Sequence, residues 1–252
     1  MTTNPFSLEG RTALVTGANT GLGQGIAIAL AQAGADVVAA GRRAPLETEA
    51  AIRALQRRFH FIAADLVSTA PIAGVVGETL GVMGRLDVLV NNAGVISRAA
   101  ALEVTEADWD RVVNVDLKSA FFLAQAAARH MAAAGGGKII NLVSMLSFQG
   151  GIRVPAYTAA KSGLAGITKA LANEWAPRRI NVNAIAPGYF VTDNTQSLRD
   201  DEMRSREISA RIPAGRWGVP ADLGGAAVFL ASAASDYVHG AIIPVDGGWL
   251  AR

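Results

Sequence analysis

The sequence predicts a single α/β domain in which seven parallel strands form a doubly wound sheet covered by helices on both faces. Short runs rich in valine and isoleucine alternate with longer alanine- and leucine-rich segments of helical period, a pattern typical of repeated strand–helix–strand units. Of the 252 residues, 51% are hydrophobic and 17% are charged, which is enough apolar material for one large core. No linker, repeat or low-complexity tract divides the chain, so we predict one domain over residues 1–252.

Seven apolar runs bounded by turn-forming residues predict the strands. In chain order they cover residues 12–16, 36–40, 59–63, 87–90, 138–143, 180–185 and 241–245. Helical periodicity predicts helices over residues 22–33, 46–57, 70–82, 105–133, 157–176, 200–210 and 220–232. Ligands of such sheets bind beyond the carboxyl ends of the strands, so we expect the functional residues there.

Each of the first six predicted strands is followed by a segment that we expect to lie at the ligand end of the sheet. The first six strands run into a glycine loop at 17–23, Gly41-Arg42-Arg43, Asp65-Leu66, Asn91-Asn92-Ala93-Gly94, Ser144 and Pro187-Gly188. The alanine-to-glycine run at 132–137 marks the end of the long fourth helix and the start of the fifth strand. We expect a cofactor half at about 10–150 and a substrate half with a lid at about 144–220.

Composition excludes several kinds of site. There is no cysteine, and the three histidines, His60, His130 and His239, are too far apart for metal-ligand spacing, so we predict no disulfide and no metal. The net charge is only +2 and the basic residues are dispersed, which predicts no nucleic-acid partner. The N-terminus lacks a basic start and an apolar stretch, and no charge-free run is long enough to span a membrane. A cytoplasmic protein without membrane attachment is the expectation.

The glycine loop predicts a dinucleotide site. Thr16-Gly17-Ala18-Asn19-Thr20-Gly21-Leu22-Gly23 follows the first strand and opens the first helix, which is the order of a Rossmann-type mononucleotide unit. Glycines let the backbone turn tightly and approach a pyrophosphate, which then lies against the N–H groups of the helix N-terminus.

Tyr157 and Lys161 form the candidate acid/base pair. Their spacing of four places a phenol and an ammonium on one face of the predicted helix. A neighbouring ammonium favours the phenolate, so we expect Lys161 to lower the pKa of Tyr157 and Tyr157 to transfer a proton.

Six ordered motifs resemble those of the short-chain dehydrogenase/reductase family over almost the whole chain. They are the Gly-x-x-x-Gly-x-Gly loop, the Asn-Asn-Ala-Gly run, Asn114 in Val-Asn-Val-Asp-Leu, Ser144, Tyr157 with Lys161, and Pro187-Gly188. The resemblance implies catalysis by Asn114, Ser144, Tyr157 and Lys161, with Asn114 holding a water that relays protons to Lys161. It implies a cofactor site made of Gly17, Asn19, Thr20, Gly21, Leu22, Gly23, Arg42, Asp65, Leu66, Asn92, Ala93, Gly94, Tyr157, Lys161, Pro187, Gly188, Phe190 and Thr192. It also implies a homotetramer with residues 249–252 near an interface.

The choice between NAD and NADP is left open by the second strand. An acidic residue at its end would bind the ribose hydroxyls of NAD, but here the strand runs into Gly41-Arg42-Arg43. Either arginine suits the 2′-phosphate of NADP, and two solvated loop arginines are the alternative.

Longer stretches resemble the sugar-acid branch of the family, which implies a deoxy sugar acid of the 2-keto-3-deoxygluconate or 2-deoxygluconate type as substrate. They lie at 20–25, 144–155, 183–189, 211–218 and the C-terminus. A sugar acid needs a cation for its carboxylate and polar groups for its hydroxyls, so the predicted substrate residues are Arg98, Ser144, Gln149 and Arg153, with Arg98 or Arg153 on the carboxylate. Residues 190–215 and Trp217 are predicted to form a lid.

Two alternatives share the fold. A 3-oxoacyl-acyl-carrier-protein reductase would use the same catalytic group on a long acyl chain in an apolar pocket. A nucleotide-sensing binding protein would use the fold without turnover, although it has no chemical need for the four catalytic residues together.

Overall fold

The computed structural model describes residues 4–252 and contains one seven-stranded parallel sheet. Its strands are β1 (Thr12–Thr16), β2 (Asp36–Gly41), β3 (Phe59–Ala63), β4 (Val88–Asn91), β5 (Gly137–Leu142), β6 (Ile180–Pro187) and β7 (Ile242–Val245). The α-helices of this part of the chain are α1 (Gly21–Gln32), α2 (Leu46–Ala54), α3 (Ile72–Met83), α4 (Glu106–Val113), α5 (Ser119–Ala134), α6 (Pro155–Trp175), α7 (Gln196–Asp200), α8 (Glu202–Arg211) and α9 (Gly224–Ala231). The predicted fold class is confirmed.

Burial on both faces explains why the strands are continuous apolar runs. All five residues of β1 and all eight of β6 are buried. Alternate residues of β1 enter different cores: Ala13 and Val15 pack with Ile26 on one face, while Leu14 packs with Leu123 on the other. The helices therefore cover the sheet from both sides, as predicted.

The strand order places a ligand crevice between β1 and β4. The order is β3-β2-β1-β4-β5-β6-β7, so the chain winds outward from β1 to β3 and then crosses back to β4. Ligands of doubly wound sheets bind at this switch point, beyond the carboxyl ends of the strands.

The region predicted as one helix over 105–133 contains a π-helical turn. α4 and α5 are joined by residues Asn114–Lys118, in which the hydrogen bonds span five residues instead of four. The backbone remains right-handed at Asn114, with φ −62° and ψ −44°. The extra residue changes which side chains of this segment face α6, a change that helical periodicity did not predict.

The segment between β6 and β7 also differs from the prediction. It contains two helices, α7 and α8, where one over 200–210 was predicted. Asp201 separates them because its side chain accepts a hydrogen bond from the N–H of Arg204 at 3.0 Å and so caps α8. The helix predicted over 220–232 begins as a 3₁₀ turn, Pro220–Leu223, and continues as α9.

Over residues 4–252, no helix has both the length and the apolar character needed to cross a membrane. The prediction that the N-terminus carries no secretion signal rests partly on residues 1–3, which lie outside the described residues.

Candidate active site

A cleft of about 510 Å³ lies beyond the carboxyl ends of the central strands. All the residues predicted to bind the cofactor line it. Other lining residues, which the sequence analysis did not single out, are Ala64, Val67, Val95, Arg111, Val115, Asp116, Leu142, Val143, Asp193, Asn194 and Thr195. The strand ends thus converge on one site.

The glycine loop is packed too closely to accept side chains. Gly17 and Gly21 have φ of +67° and +58°, in the left-handed region that favours glycine. A Cβ on Gly23 would lie 2.3 Å from both the Asn92 Nδ2 and the Gly17 carbonyl oxygen. The loop therefore leaves its backbone bare toward the cleft, and the first N–H groups of α1 have no partner within the helix.

Thr16 and Asn92 lock the glycine loop to the loop after β4. Thr16 Oγ1 accepts hydrogen bonds from the N–H groups of Asn92 and Ala93 at 3.0 and 2.9 Å. In return, Asn92 Nδ2 donates to the carbonyl oxygens of Thr16 and Gly17 at 2.8 and 3.1 Å. These bonds fix the floor of the cleft at the switch point.

The outer end of the cleft is formed by the ends of β2 and β3. Arg42 and Arg43 line it with exposed side chains, and Asp65 lines it opposite. Asp65 Oδ1 accepts a hydrogen bond from the N–H of Val67 at 3.0 Å, which orients its carboxylate. A bare glycine loop at a helix N-terminus, with two arginines and a fixed carboxylate beyond it, fits a dinucleotide.

Tyr157 and Lys161 lie on the first two turns of α6, which Pro155 opens at a position suited to proline. Lys161 is only 4% exposed, and its Nζ lies 5.5 Å from the centre of the Tyr157 ring. Nζ donates a hydrogen bond to the carbonyl oxygen of Leu142 at 2.9 Å, where β5 ends. The pair therefore faces the cleft in a fixed arrangement.

The residue that contacts Lys161 from the π turn is Asp116. Asp116 Oδ2 lies 3.2 Å from Lys161 Nζ, and its side chain has no exposed surface. Asn114 does not line the cleft. The predicted role of Asn114, holding a water that relays protons to Lys161, stays a prediction. The sequence signal for Asp116 is an acidic residue between Val115 and Leu117 in an apolar segment.

Burial raises the pKa of Tyr157 above its ordinary value, although the Lys161 ammonium lowers it. The Asp116 carboxylate raises this pKa further, while the Ser144 side chain and Arg98 lower it. Lys161 therefore acts on Tyr157 in the predicted direction, but desolvation of the phenolate outweighs its effect and the net shift is upward.

Lys161 and Asp116 form a buried ion pair. Burial opposes the charge on Lys161, but Asp116 and Tyr157 outweigh it and hold the pKa of Lys161 above its ordinary value. Burial raises the pKa of Asp116, while Lys161 and the N–H of Val95 favour its ionised form.

Ser144 lies just beyond β5 and is buried. Its Oγ accepts a hydrogen bond from the N–H of Leu146 at 3.1 Å, which begins a 3₁₀ turn. This turn fixes the hydroxyl near Tyr157, where it affects the pKa of the phenol.

Of the three other predicted substrate residues, Arg98 contacts a residue that lines the cleft. Its Nη2 donates to the carbonyl oxygen of Asn194, a cleft residue, at 2.9 Å, and its charge acts on Tyr157. Arg153 is exposed at a left-handed backbone position with φ +63°, and its carbonyl oxygen accepts the N–H of Ala99. None of the four predicted substrate residues, Arg98, Ser144, Gln149 and Arg153, is among the residues that line the cleft.

Gln149 contacts the C-terminal turn. Its Oε1 accepts a hydrogen bond from Trp249 Nε1 at 3.4 Å. Trp249 packs on Tyr189, with ring centres 4.8 Å apart, and Trp217 packs on Tyr189 at 5.3 Å. This aromatic group joins the predicted lid to the C-terminus, and sequence analysis did not predict Tyr189 because its partners are distant along the chain.

Tyr189 lies among cations. Burial raises the pKa of Tyr189, and three arginines oppose this increase: Arg204, Arg211 and Arg98. The Arg211 guanidinium lies 3.9 Å from the centre of the Trp249 ring. The charged side chains that act on Tyr189 are therefore all arginines.

Comparisons with known proteins agree with this geometry. Residues 17–250 match a protein-family profile described as enoyl-(acyl carrier protein) reductase. The chain is 60% identical to the 2-dehydro-3-deoxy-D-gluconate 5-dehydrogenase of Escherichia coli (strain K12), over 100% of both chains.

Two solved structures share the fold over nearly the full length. One, from Agrobacterium tumefaciens, is described as a 2-deoxy-D-gluconate 3-dehydrogenase with bound NADP; it is 59% identical with a TM-score of 0.93 and matches 99% of this chain and 100% of its own. The other, a gluconate 5-dehydrogenase from Burkholderia cenocepacia in complex with NADP and tartrate, is 39% identical with a TM-score of 0.93, over 98% of both chains.

Proposed function

This chain belongs to the short-chain dehydrogenase/reductase family, and we propose that it interconverts a keto and a hydroxy group of a deoxy sugar acid of the 2-dehydro-3-deoxy-D-gluconate type. The observation that carries the proposal is the buried Tyr157–Lys161 pair in the same cleft as the bare glycine loop. The substrate class is supported by the full-length relative at 60% identity.

We propose that NADP is the preferred cofactor. β2 ends in a glycine followed by Arg42 and Arg43, both of which line the cleft. An arginine guanidinium matches the geometry of a phosphate, and the Agrobacterium relative binds NADP. When bound, the nicotinamide supplies or accepts the hydride.

Tyr157 moves the proton in this proposal. Because burial keeps its pKa high, the side chain is a phenol at neutral pH. During reduction its O–H bond breaks and the proton passes to the substrate oxygen, which becomes a hydroxyl. Ser144 holds the same oxygen, and Lys161 stabilises the phenolate that remains.

Arg98 is proposed to bind the substrate carboxylate. Its Nη2 donates to the carbonyl oxygen of the cleft residue Asn194, and its charge lowers the pKa of both Tyr157 and Tyr189. Tartrate in the Burkholderia relative shows that a carboxylic acid binds in a protein of this fold.

The charges also weigh against the two alternatives. A long acyl chain needs an apolar pocket, whereas the charges of Arg98, Arg204 and Arg211 act on Tyr189. A binding protein needs no buried ion pair beside a phenol, and such a pair costs free energy to desolvate.

The test measures KM for 2-keto-3-deoxygluconate in the unaltered protein, Arg98→Met and Arg178→Met. A charge-assisted bond contributes about 1.5–3 kcal/mol, so we expect Arg98→Met to raise KM by roughly tenfold to a hundredfold. Arg178 is exposed just before β6, at the amino-terminal end of the strands and therefore at the end of the sheet opposite the cleft. The Arg178→Met variant should therefore have the KM of the unaltered protein. An unchanged KM in Arg98→Met contradicts the assigned role of Arg98.

We also propose a cytoplasmic homotetramer. The proposal is supported by exposed apolar side chains on α4 and α5, where Trp109 is 41% and Phe122 is 37% exposed. Sedimentation equilibrium tests it, and a monomer at micromolar concentration contradicts it.

A further inference from the structure

Asp116 is a buried carboxylate that the reaction described above does not use. Its Oδ1 accepts a hydrogen bond from the N–H of Val95 at 2.7 Å, and its Oδ2 lies 3.2 Å from Lys161 Nζ. Over residues 4–252, Oδ2 receives no well-directed hydrogen bond in spite of this proximity. Both neighbours are donors, an arrangement that favours the ionised carboxylate.

The loop after β4 and the π turn hold this carboxylate in place. A Cβ on Gly94 would lie 2.8 Å from Asp116 Oδ2, so the glycine makes the space that the carboxylate occupies. The π turn supplies the carboxylate at the point where α4 and α5 meet α6. π turns occur frequently at functional sites.

Four groups act on the charge of Tyr157. Lys161 lies on α6, Asp116 lies in the π turn, Ser144 follows β5, and Arg98 comes from the loop after β4. Lys161 and Arg98 favour the phenolate, and Ser144 favours it through hydrogen bonding, whereas Asp116 is the one anion among these four.

We propose that Asp116 is a positioning residue that holds Lys161 in place and offsets its charge at Tyr157, so that the phenol stays protonated and the site favours proton donation to a carbonyl. Only the statement that the site favours proton donation to a carbonyl rests on the proposed function. In this arrangement a reduction moves the phenol proton to the substrate oxygen and leaves a phenolate beside the Lys161–Asp116 pair. The reverse oxidation first needs the phenol to lose its proton, so it requires a higher pH than it would without Asp116.

The sequence offers a direct measurement, because the chain contains only three tyrosines, Tyr157, Tyr189 and Tyr237. The double variant Tyr189→Phe, Tyr237→Phe leaves Tyr157 as the sole tyrosine, whose phenolate absorbs in the near ultraviolet. Its titration is followed in this background and after adding Asp116→Asn, Asp116→Ser or Asp110→Asn. Asp110 is an exposed carboxylate on α4 and serves as the matched control.

We expect both neutral variants at 116 to titrate at lower pH than the background. One pH unit below the midpoint of the background, the phenolate fraction should rise by about threefold or more. Asp110→Asn should leave the curve unchanged. Circular dichroism in the same samples separates this result from unfolding, which would also return the tyrosine to its ordinary pKa.

An unchanged or higher titration midpoint in folded Asp116→Asn or Asp116→Ser overturns the proposal. So does a shift in Asp116→Asn alone, because it would arise from the amide geometry and not from the lost charge. If neither variant folds, the proposal is overturned as well, since Asp116 would then be needed for folding. The titration uses no substrate, so it stands or fails separately from the sugar-acid assignment.

Discussion

At the scale of single residues, the site depends on how charges are distributed around buried groups. Burial raises the pKa of Tyr157, and the opposite charges of Lys161 and Asp116 offset each other beside its phenol. The pattern Tyr-x-x-x-Lys predicts the pair but not its environment. The third member, Asp116, was missed because its position depends on a π turn, and no periodicity in the sequence marks such a turn.

The arginines after β2 give a prediction about the cofactor. Arg42→Ala removes a partner for the 2′-phosphate, so KM for NADP should rise by roughly tenfold to a hundredfold. KM for NAD should change little, because NAD lacks that phosphate. The measurement is steady-state kinetics with each cofactor, with Arg178→Ala as the control. Equal increases in KM for NADP and for NAD would show that Arg42 does not bind the 2′-phosphate.

At the scale of elements, most of the fold follows from local patterns. The strand ranges agree within one or two residues, since buried parallel strands are continuous apolar runs. The glycine loop was also predictable, because a tight turn before a helix restricts the residue type. The division of 196–211 into α7 and α8 was not, since it depends on the single cap at Asp201.

Two glycine-to-alanine substitutions distinguish the effect of steric crowding by the added Cβ from the effect of alanine's higher helix propensity. Gly23→Ala at the start of α1 would place a Cβ 2.3 Å from backbone and side-chain atoms, so we expect a loss of about 1–3 kcal/mol in unfolding free energy and weaker NADP binding. Gly77→Ala in α3 meets no atom within 4 Å and should stabilise the protein by about 0.5–1 kcal/mol. Urea denaturation and NADP titration measure both effects. A stabilised Gly23→Ala protein would contradict the packing of the loop.

At the scale of the whole molecule, both ends of the sheet carry contacts between segments that are far apart along the chain. At the site end, Trp249 near the C-terminus packs on Tyr189, which directly precedes the predicted lid. At the opposite end, Asp87 joins β1 and β4, because it accepts hydrogen bonds from the N–H of Thr12 and from Arg11 and Arg85. Sequence patterns do not predict such contacts, since the partners lie far apart along the chain.

Asp87 gives a prediction about stability and pH. Burial raises the pKa of Asp87, but the hydrogen bonds from Arg85, Thr12 and Arg11 outweigh it and hold the pKa below its ordinary value. A lowered pKa in the folded state stabilises the protein above the unfolded value of about 3.9, and this contribution is lost as pH falls through the lower folded value. Asp87→Asn should cost about 2 kcal/mol at pH 7.

The difference in unfolding free energy between the unaltered protein and Asp87→Asn should shrink as the pH falls below the ordinary pKa range of an aspartate. Denaturant unfolding of both proteins at neutral and acidic pH measures it. A difference that stays constant with pH would show that the ionised carboxylate is not the stabilising form.

The central claim is that this cleft acts on a sugar acid, and a competition of substrates tests it most directly. The measurement is kcat/KM for NADPH oxidation with 2-keto-3-deoxygluconate-type substrates and with a 3-oxoacyl thioester, using the full-length protein. The account predicts turnover of the sugar acid with a higher kcat/KM than the thioester, because Arg98 contacts the cleft residue Asn194 and three arginines act on Tyr189, which lies between the cleft residues Gly188 and Phe190 along the chain. A higher kcat/KM for the thioester, or no turnover of any sugar acid, would contradict it.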